Sequence, residues 1–489
     1  MYKRIIKNVL VLCTVVLTLN SCKEYLEITP EGQQNSENYF NTAQDYQDAL
    51  VGVYDILSTT YIINLIGEIA SDNSLTGGEN PTDFLPIQQI DDMTQTPENS
   101  ELRNVWRYMY AGISRANYIV EFQNKIDFQG KEQVLAENLF LRSYFYFQLV
   151  KFFGDVPMYT EKRLSIAESQ TIDKSSKADV YAQIESDLIK AITDLPWQQT
   201  QKGRATKGAA YALLGKIYLF QNKYDEAASA FNKVINSGQY QLVSDFSTIF
   251  LNSNENNSES VFEVQYSGLD EGAGFGCFIC VEGNIAVGFM GPRFKGGNYD
   301  PYAGGYSFNI PVPALYNAYE TGDTRRDATI FDMNAFIATH PDVTYTEGHD
   351  NNGYFNKKYI PYADDNVLPD PNINRSNNYR AIRYSDVLLM AAEANLQATN
   401  KKNDPQQLLD MIRDRAFGNT NHRVTANLNN ILNERRLELA GEGHRFFDQV
   451  RTGKTNSIPG FQAGKNEVFP IPLIEIQLAG NRWSQNTGY

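Results

Sequence analysis

The stretch that decides the fold reads RATKGAAYALLGKIYLFQNKYDEAASAFNKVINSG, residues 204–238. Its apolar residues recur at three- and four-residue steps, which predicts one helix, a tight turn and a second helix. Tyr211, Leu214 and Tyr218 lie on one face of the first helix and must face a neighbouring helix pair. This stretch therefore predicts a fold built from packed helix pairs.

Small residues predict how closely the two helices approach. Gly215 and Ala227 allow close backbone contact, and Phe231 follows at the distance that the second helix of a tetratricopeptide repeat requires. Thr206 is suited to cap the first helix and Gly238 to end the second. The plainer alternative is a generic antiparallel helix pair. In either case one pair cannot bury its apolar stripe alone, so further helices must pack against it.

Helical periodicity recurs on both sides of a long irregular region. Further helices are predicted near residues 42–57, 100–125, 131–153, 176–195, 382–397, 405–416 and 425–439. Residues 271–309 hold ten glycines and eight aromatic residues, a composition that excludes a helix. Short strands are predicted near 260–266 and 354–360. The predicted fold is mainly α, with few short strands and a scaffold of tetratricopeptide-like helix pairs that carries a loop-rich insertion.

The N-terminus has the pattern of a lipoprotein signal peptide. Basic residues Lys3, Arg4 and Lys7 precede an apolar run at 9–19 that is too short to span a membrane. The run ends in Leu-Asn-Ser-Cys, with Cys22 last, which is similar to a bacterial lipobox. Such a cysteine is acylated, with palmitate for example, and becomes the new N-terminus. The alternative is an ordinary signal peptide with an incidental cysteine.

The four segments predicted from these patterns are a signal peptide at 1–21, an N-terminal helical region at 22–250, an insertion at 251–380 and a C-terminal helical region at 381–489.

Charge and cysteine content limit the possible partners. The net charge of −15 becomes −18 without residues 1–21, which hold three basic residues and no acidic one. An acidic chain of this kind is not suited to nucleic acid, because phosphate binding needs basic patches. Beyond Cys13 and Cys22, only Cys277 and Cys280 remain. A lone C-x-x-C cannot supply four zinc ligands, and a local disulfide is the plainer interpretation.

The C-terminal third brings a known family into view. Residues 434–454, ERRLELAGEGHRFFDQVRTGK, resemble the signature of the SusD/RagB family. Shorter matches extend along the chain: RSYFYF at 142–147, FGDVP at 153–157, Gly322-Asp323 with Arg325, IRYSDVLLMAAEA at 382–394, FPIP at 469–472 with Glu475, and QNTGY at 485–489. Thr487 departs from the proline common in the family's terminal motif, which is a local detail of a turn.

The resemblance implies a cell-surface lipoprotein of the outer membrane with four tetratricopeptide-like pairs. It implies capture of oligosaccharides and delivery to a TonB-dependent transporter of the SusC type for uptake, with the protein facing the cell exterior. Some members of the family handle peptides, so a RagB-like peptide-binding protein is the alternative. The charged residues of the signature are typical of ion pairs that hold segments together. We expect Arg435, Arg436, Arg445 and Arg451 to pair with Glu434, Glu438 and Asp448.

Candidate ligand-binding residues lie in two irregular segments that combine aromatic rings with polar groups, as sugar binding requires. They are Asp72, Asn73, Asn80 and Phe84 in the loops at 70–98, and Phe275, Phe278, Arg293, Phe294, Tyr299 and Tyr302 in the segment at 271–309. About half of these rings are expected only to pack the insertion onto the scaffold.

No motif indicates catalysis, a cofactor or a metal site. The sequence lacks H-E-x-x-H and G-x-S-x-G, and its acidic runs at 349–352 and 364–366 miss EF-hand spacing. With 58 acidic residues, a pair of catalytic carboxylates can be neither found nor excluded, so a surface glycoside hydrolase is the less favoured alternative.

The lipobox generates the first prediction. Replacing Cys22 with Ala removes the acylated thiol, so the variant should be soluble or retained before the outer membrane. Fractionation and protease treatment of intact cells measure this. A Cys22→Ala variant that still fractionates with the outer membrane and is still cleaved on intact cells would contradict lipid anchoring at this residue.

Overall fold

The structure is a computed structural model that describes residues 39–268, 280–365, 370 and 372–489. Within these ranges the α-helices are α1 (Ala43–Asp55), α2 (Tyr61–Ile69), α3 (Leu85–Asp91), α4 (Ser100–Phe122), α5 (Lys131–Phe153), α6 (Ile166–Ser169), α7 (Lys177–Asp194), α8 (Lys207–Phe220), α9 (Tyr224–Ile235), α10 (Ile285–Phe289), α11 (Pro313–Tyr316), α12 (Arg325–Thr329), α13 (Met333–Thr339), α14 (Tyr384–Gln397), α15 (Pro405–Phe417), α16 (Leu428–Glu438), α17 (Arg445–Arg451) and α18 (Leu473–Leu478).

The strands of the same ranges are short. They are β1 (Ser74–Gly77), β2 (Val156–Pro157), β3 (Lys174–Ser175), β4 (Ser260–Val264), β5 (Arg293–Gly296), β6 (Phe308–Pro311), β7 (Ile330–Asp332), β8 (Thr344–Thr346), β9 (Tyr354–Asn356) and β10 (Tyr379–Arg383). They form antiparallel two-stranded sheets that pair β1 with β6, β2 with β3, β4 with β10, β5 with β8, and β7 with β9. The mainly α prediction is confirmed.

Eight helices stack as four consecutive pairs. The pairs are α1 with α4, α5 with α7, α8 with α9, and α14 with α15, and each pair packs against the next. Helix α5 is buried on nearly all sides, which explains why its sequence is apolar around the whole circumference. The stack is therefore the continuous core against which the irregular segments pack.

The stretch that predicted this stack folds as expected. The Thr206 side chain caps α8 by accepting a hydrogen bond from the amide of Ala209 at 3.1 Å. A Cβ at Gly215 would lie 2.5 Å from Cε1 of the Phe231 ring, so only glycine lets α9 pack this closely. Helix α9 ends at Ile235, and Gly238 follows in the left-handed conformation.

Among the residues that the structure describes, one helical run meets the length and composition requirements for crossing a membrane. The helical run at 43–69 has a mean hydropathy of 1.5 over its most apolar window, and 67% of that window is buried inside the protein. Its residues Tyr46, Leu50 and Val53 belong to the core of the stack. Packing within the protein therefore accounts for its apolar character.

A buried ion cluster joins the insertion to the last helices. It contains five cations (Arg325, Lys358, Arg383, Arg413 and Arg415) and five carboxylates (Glu259, Asp323, Glu434, Glu438 and Glu442). These residues come from the ends of β4 and β10, from α12, from the loop after β9, and from α15, α16 and its C-terminal turn. The cluster is almost completely shielded from solvent.

Glu438 lies at the centre of the cluster. Its carboxylate accepts hydrogen bonds from Arg415 at 2.7 Å, Arg383 at 3.0 Å and Arg325 at 3.1 Å. Burial alone would raise the pKa of Glu438, but the Arg415 and Arg383 guanidinium groups hold it well below its ordinary value. The carboxylate is therefore charged at neutral pH and binds three segments together.

Ion pairs do hold segments together within the 434–454 signature, but several partners differ from those predicted. Arg435 and Arg451 both pair with Asp448, at 3.0 and 2.8 Å, as expected. Glu434 and Glu438, however, pair with arginines outside the signature. Arg436 and Arg445 instead bind Asn73 and Asp72, on the turn before β1. Spacing along a helix could not show this, because the partners are distant in the chain.

The ion cluster generates a stability prediction. An Arg383→Met variant leaves Glu259, Glu438 and Glu442 buried with fewer partners, so the free energy of unfolding should fall by about 3–5 kcal/mol. Urea unfolding followed by circular dichroism measures it. The control is Lys162→Met, which breaks the exposed Lys162–Glu168 pair and should leave unfolding unchanged. Equal effects of the two substitutions would contradict the structural role of the cluster.

Candidate functional site

An open pocket of about 510 Å³ lies where the loops at 70–98 meet the segment at 271–309. Its volume is in the range typical of sites for small molecules. Its lining consists of aromatic side chains and a few charged groups: Glu79, Asp83, Phe84, Phe289, Arg293, Tyr306 and Phe308. This composition combines apolar surface with polar groups that can orient a ligand, and we call it the aromatic pocket.

A two-stranded sheet brings these two segments together. Strand β1 pairs with β6, with Gly77 opposite Phe308 and Leu75 opposite Ile310. Beyond the strands, the amide of Gly78 donates to the carbonyl of Ser307 at 2.9 Å. The sheet therefore positions residues 79–84 beside residues 306–308, although more than 200 positions of sequence separate them.

Glycine is required at the end of β1. Gly77 and Gly78 both have positive φ, at 74° and 93°. A Cβ at Gly77 would lie 2.2 Å from the Ser307 carbonyl oxygen, and one at Gly78 would lie 2.8 Å from the Phe308 ring. Larger residues would push the strands apart and separate the two sides of the aromatic pocket.

Arg293 is the fixed cation of the aromatic pocket. Its Nε donates to Ser307 Oγ at 2.9 Å, and its Nη2 donates to Asp83 Oδ2 at 3.1 Å. Its Nη1 lies 4.0 Å from Glu79 Oε2, and its guanidinium carbon lies 5.5 Å from the centre of the Tyr306 ring. The guanidinium is partly exposed, so it retains donors for a ligand while its orientation is held by the protein.

Phe84 and Tyr306 offer partly exposed rings, whereas Phe289 and Phe308 are buried beneath them. The Phe84 ring centre lies 5.6 Å from that of Phe289 and 5.8 Å from that of Phe308, so the rings support one another. Burial raises the pKa of the Tyr306 phenol, which stays neutral and can form hydrogen bonds. The aromatic pocket therefore presents flat apolar faces with polar groups beside them.

The backbone at Phe84 is strained. Its φ and ψ are 51° and 50°, a left-handed conformation that costs on the order of 1–3 kcal/mol for a residue with a side chain. Phe84 immediately precedes α3, and Pro86 lies in the first turn of that helix. Such strain concentrates at ligand sites, where the surrounding structure holds it.

Two predicted ligand residues have structural partners instead. Asn73 is fully buried, and its side-chain oxygen accepts a hydrogen bond from Arg436 Nε at 2.7 Å. Asp72 forms a two-point ion pair with Arg445, at 2.7 and 3.0 Å. Neither lines the aromatic pocket. For Asn73 the ligand-binding prediction is wrong, since a side chain without exposed surface cannot touch a ligand.

Three predicted aromatic residues belong to a neighbouring apolar cluster. Phe294 stacks on Tyr299 with 4.5 Å between ring centres, and Tyr302 packs edge-on against Phe331 at 5.0 Å. All three pack onto the small core around Phe331 and Met333, and none lines the aromatic pocket. These three rings therefore pack the insertion, as was expected for about half of the predicted aromatic residues.

Of the remaining candidates, Phe84 and Arg293 lie in the aromatic pocket and Asn80 does not line it. The Asn80 side chain accepts hydrogen bonds from the backbone and hydroxyl of Thr82 and holds the turn before Phe84. Phe275, Phe278, Cys277 and the predicted anchor Cys22 lie outside the described residues. Cys280 is disulfide-bonded.

Sequence reasoning did not select Glu79, Asp83, Phe289, Tyr306 or Phe308 as site residues. The spacing of Tyr306 and Phe308 could have indicated two of these residues. They are two positions apart, and an extended chain places such residues on the same face. The others depend on the β1–β6 pairing, for which the sequence has no local signal.

The described ranges hold no group of three or more His, Cys, Asp or Glu side chains arranged to bind a metal ion. The chemistry available in the aromatic pocket is therefore stacking, hydrogen bonding and charge.

A scaffold of helix pairs that presents an aromatic and charged pocket on irregular segments defines a ligand-binding protein. Comparison with known proteins identifies the family to which this ligand-binding protein belongs. Residues 24–219 match the family described as starch-binding and associating with the outer membrane, and residues 258–468 match the SusD family. A solved structure described as a laminarin-binding SusD-like protein has 35% sequence identity and a TM-score of 0.83, over 91% of this chain and 99% of that chain. The chain belongs to the SusD family.

Two further relatives match over nearly their whole length. SusD-like protein P2 of Formosa agariphila is 27% identical over 97% of this chain and 98% of its own. Surface glycan-binding protein A from Bacteroides thetaiotaomicron, solved in complex with laminarihexaose, is 27% identical with a TM-score of 0.83, over 91% of this chain and 99% of that chain.

Proposed function

We propose that this protein is a lipid-anchored, cell-surface glycan-binding protein that captures oligosaccharides in the aromatic pocket. The observation that carries the proposal is the pocket itself, where two partly exposed rings lie beside a fixed guanidinium. Pyranose rings have apolar C–H faces that stack on aromatic rings, and hydroxyl edges that need donors and acceptors. Tyr306 and Phe84 supply the stacking faces, while Arg293 and Asp83 bind hydroxyl groups.

Laminarin-type oligosaccharides are the ligands to test first. One protein with the same fold and 35% identity is a laminarin-binding SusD-like protein. Another with the same fold and 27% identity was solved in complex with laminarihexaose. The proposed ligand class for this chain follows from that similarity and from the open shape of the aromatic pocket.

Binding takes place without hydrolysis. Glycoside hydrolysis needs two carboxyl groups on either side of the scissile bond. In the aromatic pocket, both carboxylates face one guanidinium, with Asp83 at 3.1 Å and Glu79 at 4.0 Å from Arg293 nitrogens. This arrangement favours holding a sugar over cleaving it.

Tyr306 is one of the two stacking faces of the proposed site. A Tyr306→Ala variant should lose about 1–3 kcal/mol of binding free energy for laminarihexaose, because a stacking face is removed. Isothermal titration calorimetry measures the affinity, and affinity gels with laminarin and other polysaccharides, combined with an assay for new reducing ends, test turnover.

The matched control is Tyr302→Ala, which removes the same side chain from the neighbouring apolar cluster and should lower the melting temperature without weakening binding. Equal loss of affinity in both variants would contradict the assignment of the site. New reducing ends would establish a hydrolase, and calorimetric binding of oligopeptides but no glycan would establish the peptide-binding alternative.

The captured sugar passes to a TonB-dependent outer-membrane transporter of the SusC type. This part of the proposal rests on family membership and on the lipobox, which would hold the protein at the membrane beside such a channel. The helical scaffold forms the contact with the transporter and leaves the aromatic pocket accessible.

The partner prediction is tested in the native cell. Purification of a tagged copy in mild detergent should also recover a barrel protein of far greater mass. A protein recovered alone under crosslinking, at native expression level and with ligand present, would contradict the transporter complex.

A further inference from the structure

A second open groove, of about 440 Å³, lies between α16, α17 and the turn that follows α17. Its lining includes Asn433, Arg436, Arg445, Asp448, Gln449 and Lys454. We call it the C-terminal groove. It shares no lining residue with the aromatic pocket.

Helical spacing builds both sides of the C-terminal groove. Asn429, Asn433 and Arg436 are four and three residues apart on α16, so they form one polar stripe. Arg445 and Gln449, four residues apart, form the facing stripe on α17. The polar groups are therefore held by two helices and do not depend on a loop.

Cations dominate the C-terminal groove, although the whole chain carries a net charge of −15. Its lining includes Arg436, Arg445 and Lys454 but only one carboxylate, Asp448. Asp448 is already saturated by Arg435 and Arg451, at 3.0 and 2.8 Å. Arg445 is paired with Asp72, so Arg436 and Lys454 are the two cations of this lining that form no ion pair with the described carboxylates.

Arg436 retains most of its hydrogen-bonding capacity. Among the described residues its one hydrogen bond runs from Nε to Asn73, which leaves the terminal nitrogens for a ligand. The neighbouring carboxylate Asp72 is bound through both oxygens by Arg445. Burial lowers the pKa of Arg436 from its ordinary value, as expected for a guanidinium with little compensating charge.

The other lining groups match hydroxyls. The amides of Asn433 and Asn456 are exposed at the rim, and the exposed Asn429 accepts a hydrogen bond from Lys454 Nζ at 3.3 Å. Gln449 is fully buried beneath them, and its side-chain nitrogen donates to Ser457 Oγ at 3.0 Å, so it supports the base of the groove. A ligand that carries one anionic group and several hydroxyl groups would pair with the cations and with these amides.

From these observations we infer that the C-terminal groove binds an acidic sugar unit, a monosaccharide that carries a carboxylate or a sulfate ester. The anionic group pairs with Arg436 and Lys454, and the ring hydroxyls bind the amides. The inference rests on the proposed function only in taking a sugar as the ligand, and it assigns a second site with different chemistry.

Calorimetric titration with glucuronate and with glucose 6-sulfate tests the inference, with glucose as the neutral probe and sodium sulfate as the bare anion. We expect the two acidic sugars to bind and glucose to bind at least about tenfold more weakly, because charge-assisted hydrogen bonds are lost. Affinity should fall as salt is raised from low to physiological concentration. Glucose binding as tightly as the acidic sugars, or sulfate alone binding as tightly as glucose 6-sulfate, overturns the inference.

Variants locate the site. Lys454→Met, at an exposed turn, and Arg436→Gln should each weaken acidic-sugar binding at least about tenfold. The matched control is Lys233→Met, which removes an exposed lysine from α9 and the same charge from the protein, and it should bind as the wild type does. Unchanged binding by Lys454→Met and Arg436→Gln overturns the assignment.

Tyr306→Ala separates this inference from the proposed function. It should weaken laminarihexaose binding and leave glucuronate binding unchanged, because the two sites share no lining residue. Loss of glucuronate binding in Tyr306→Ala would place the acidic sugar in the aromatic pocket and overturn the second site.

Discussion

The structure depends on the buried contact between Glu438 and the guanidinium groups of Arg325, Arg383 and Arg415. The three arginines belong to the insertion, to the strand that closes it and to the last helix pair. Buried charges are costly unless each is paired, so displacing any one of these segments would leave a buried charge without its partner.

That constraint explains how an irregular region can present an ordered binding site. The helix stack supplies a rigid support, the ion cluster fixes the insertion on it, and the β1–β6 sheet then sets the position of the aromatic pocket. Arg436 and Arg445 also fix a loop segment, because they bind Asn73 and Asp72 in the turn before β1. Residues of the signature thus support the site from a distance and do not touch a ligand in the aromatic pocket.

The aromatic pocket and the C-terminal groove differ in composition, and the two proposed ligands follow from that difference. The aromatic pocket combines stacking faces with one cation already balanced by carboxylates, which suits a neutral sugar. The C-terminal groove lacks an aromatic platform and holds cations in excess, which suits an anionic one. A surface protein with both would hold a mixed glycan at two points, and two weak contacts on one chain add strongly to affinity.

The helical scaffold and the family could both be predicted from the sequence. Periodicity and caps act over a few residues, so the helix at 131–153 was predicted with the bounds that the structure shows. The signature at 434–454 separately indicated the SusD family. The candidate site depends on tertiary contacts. Phe84 and Arg293 were selected from composition and line the aromatic pocket, but Asp83, Phe289 and Tyr306 join them because β1 pairs with β6. Asn73 does not line the pocket, because it is buried and bound by Arg436. Such contacts depend on segments that are distant in the chain, and no local spacing encodes them.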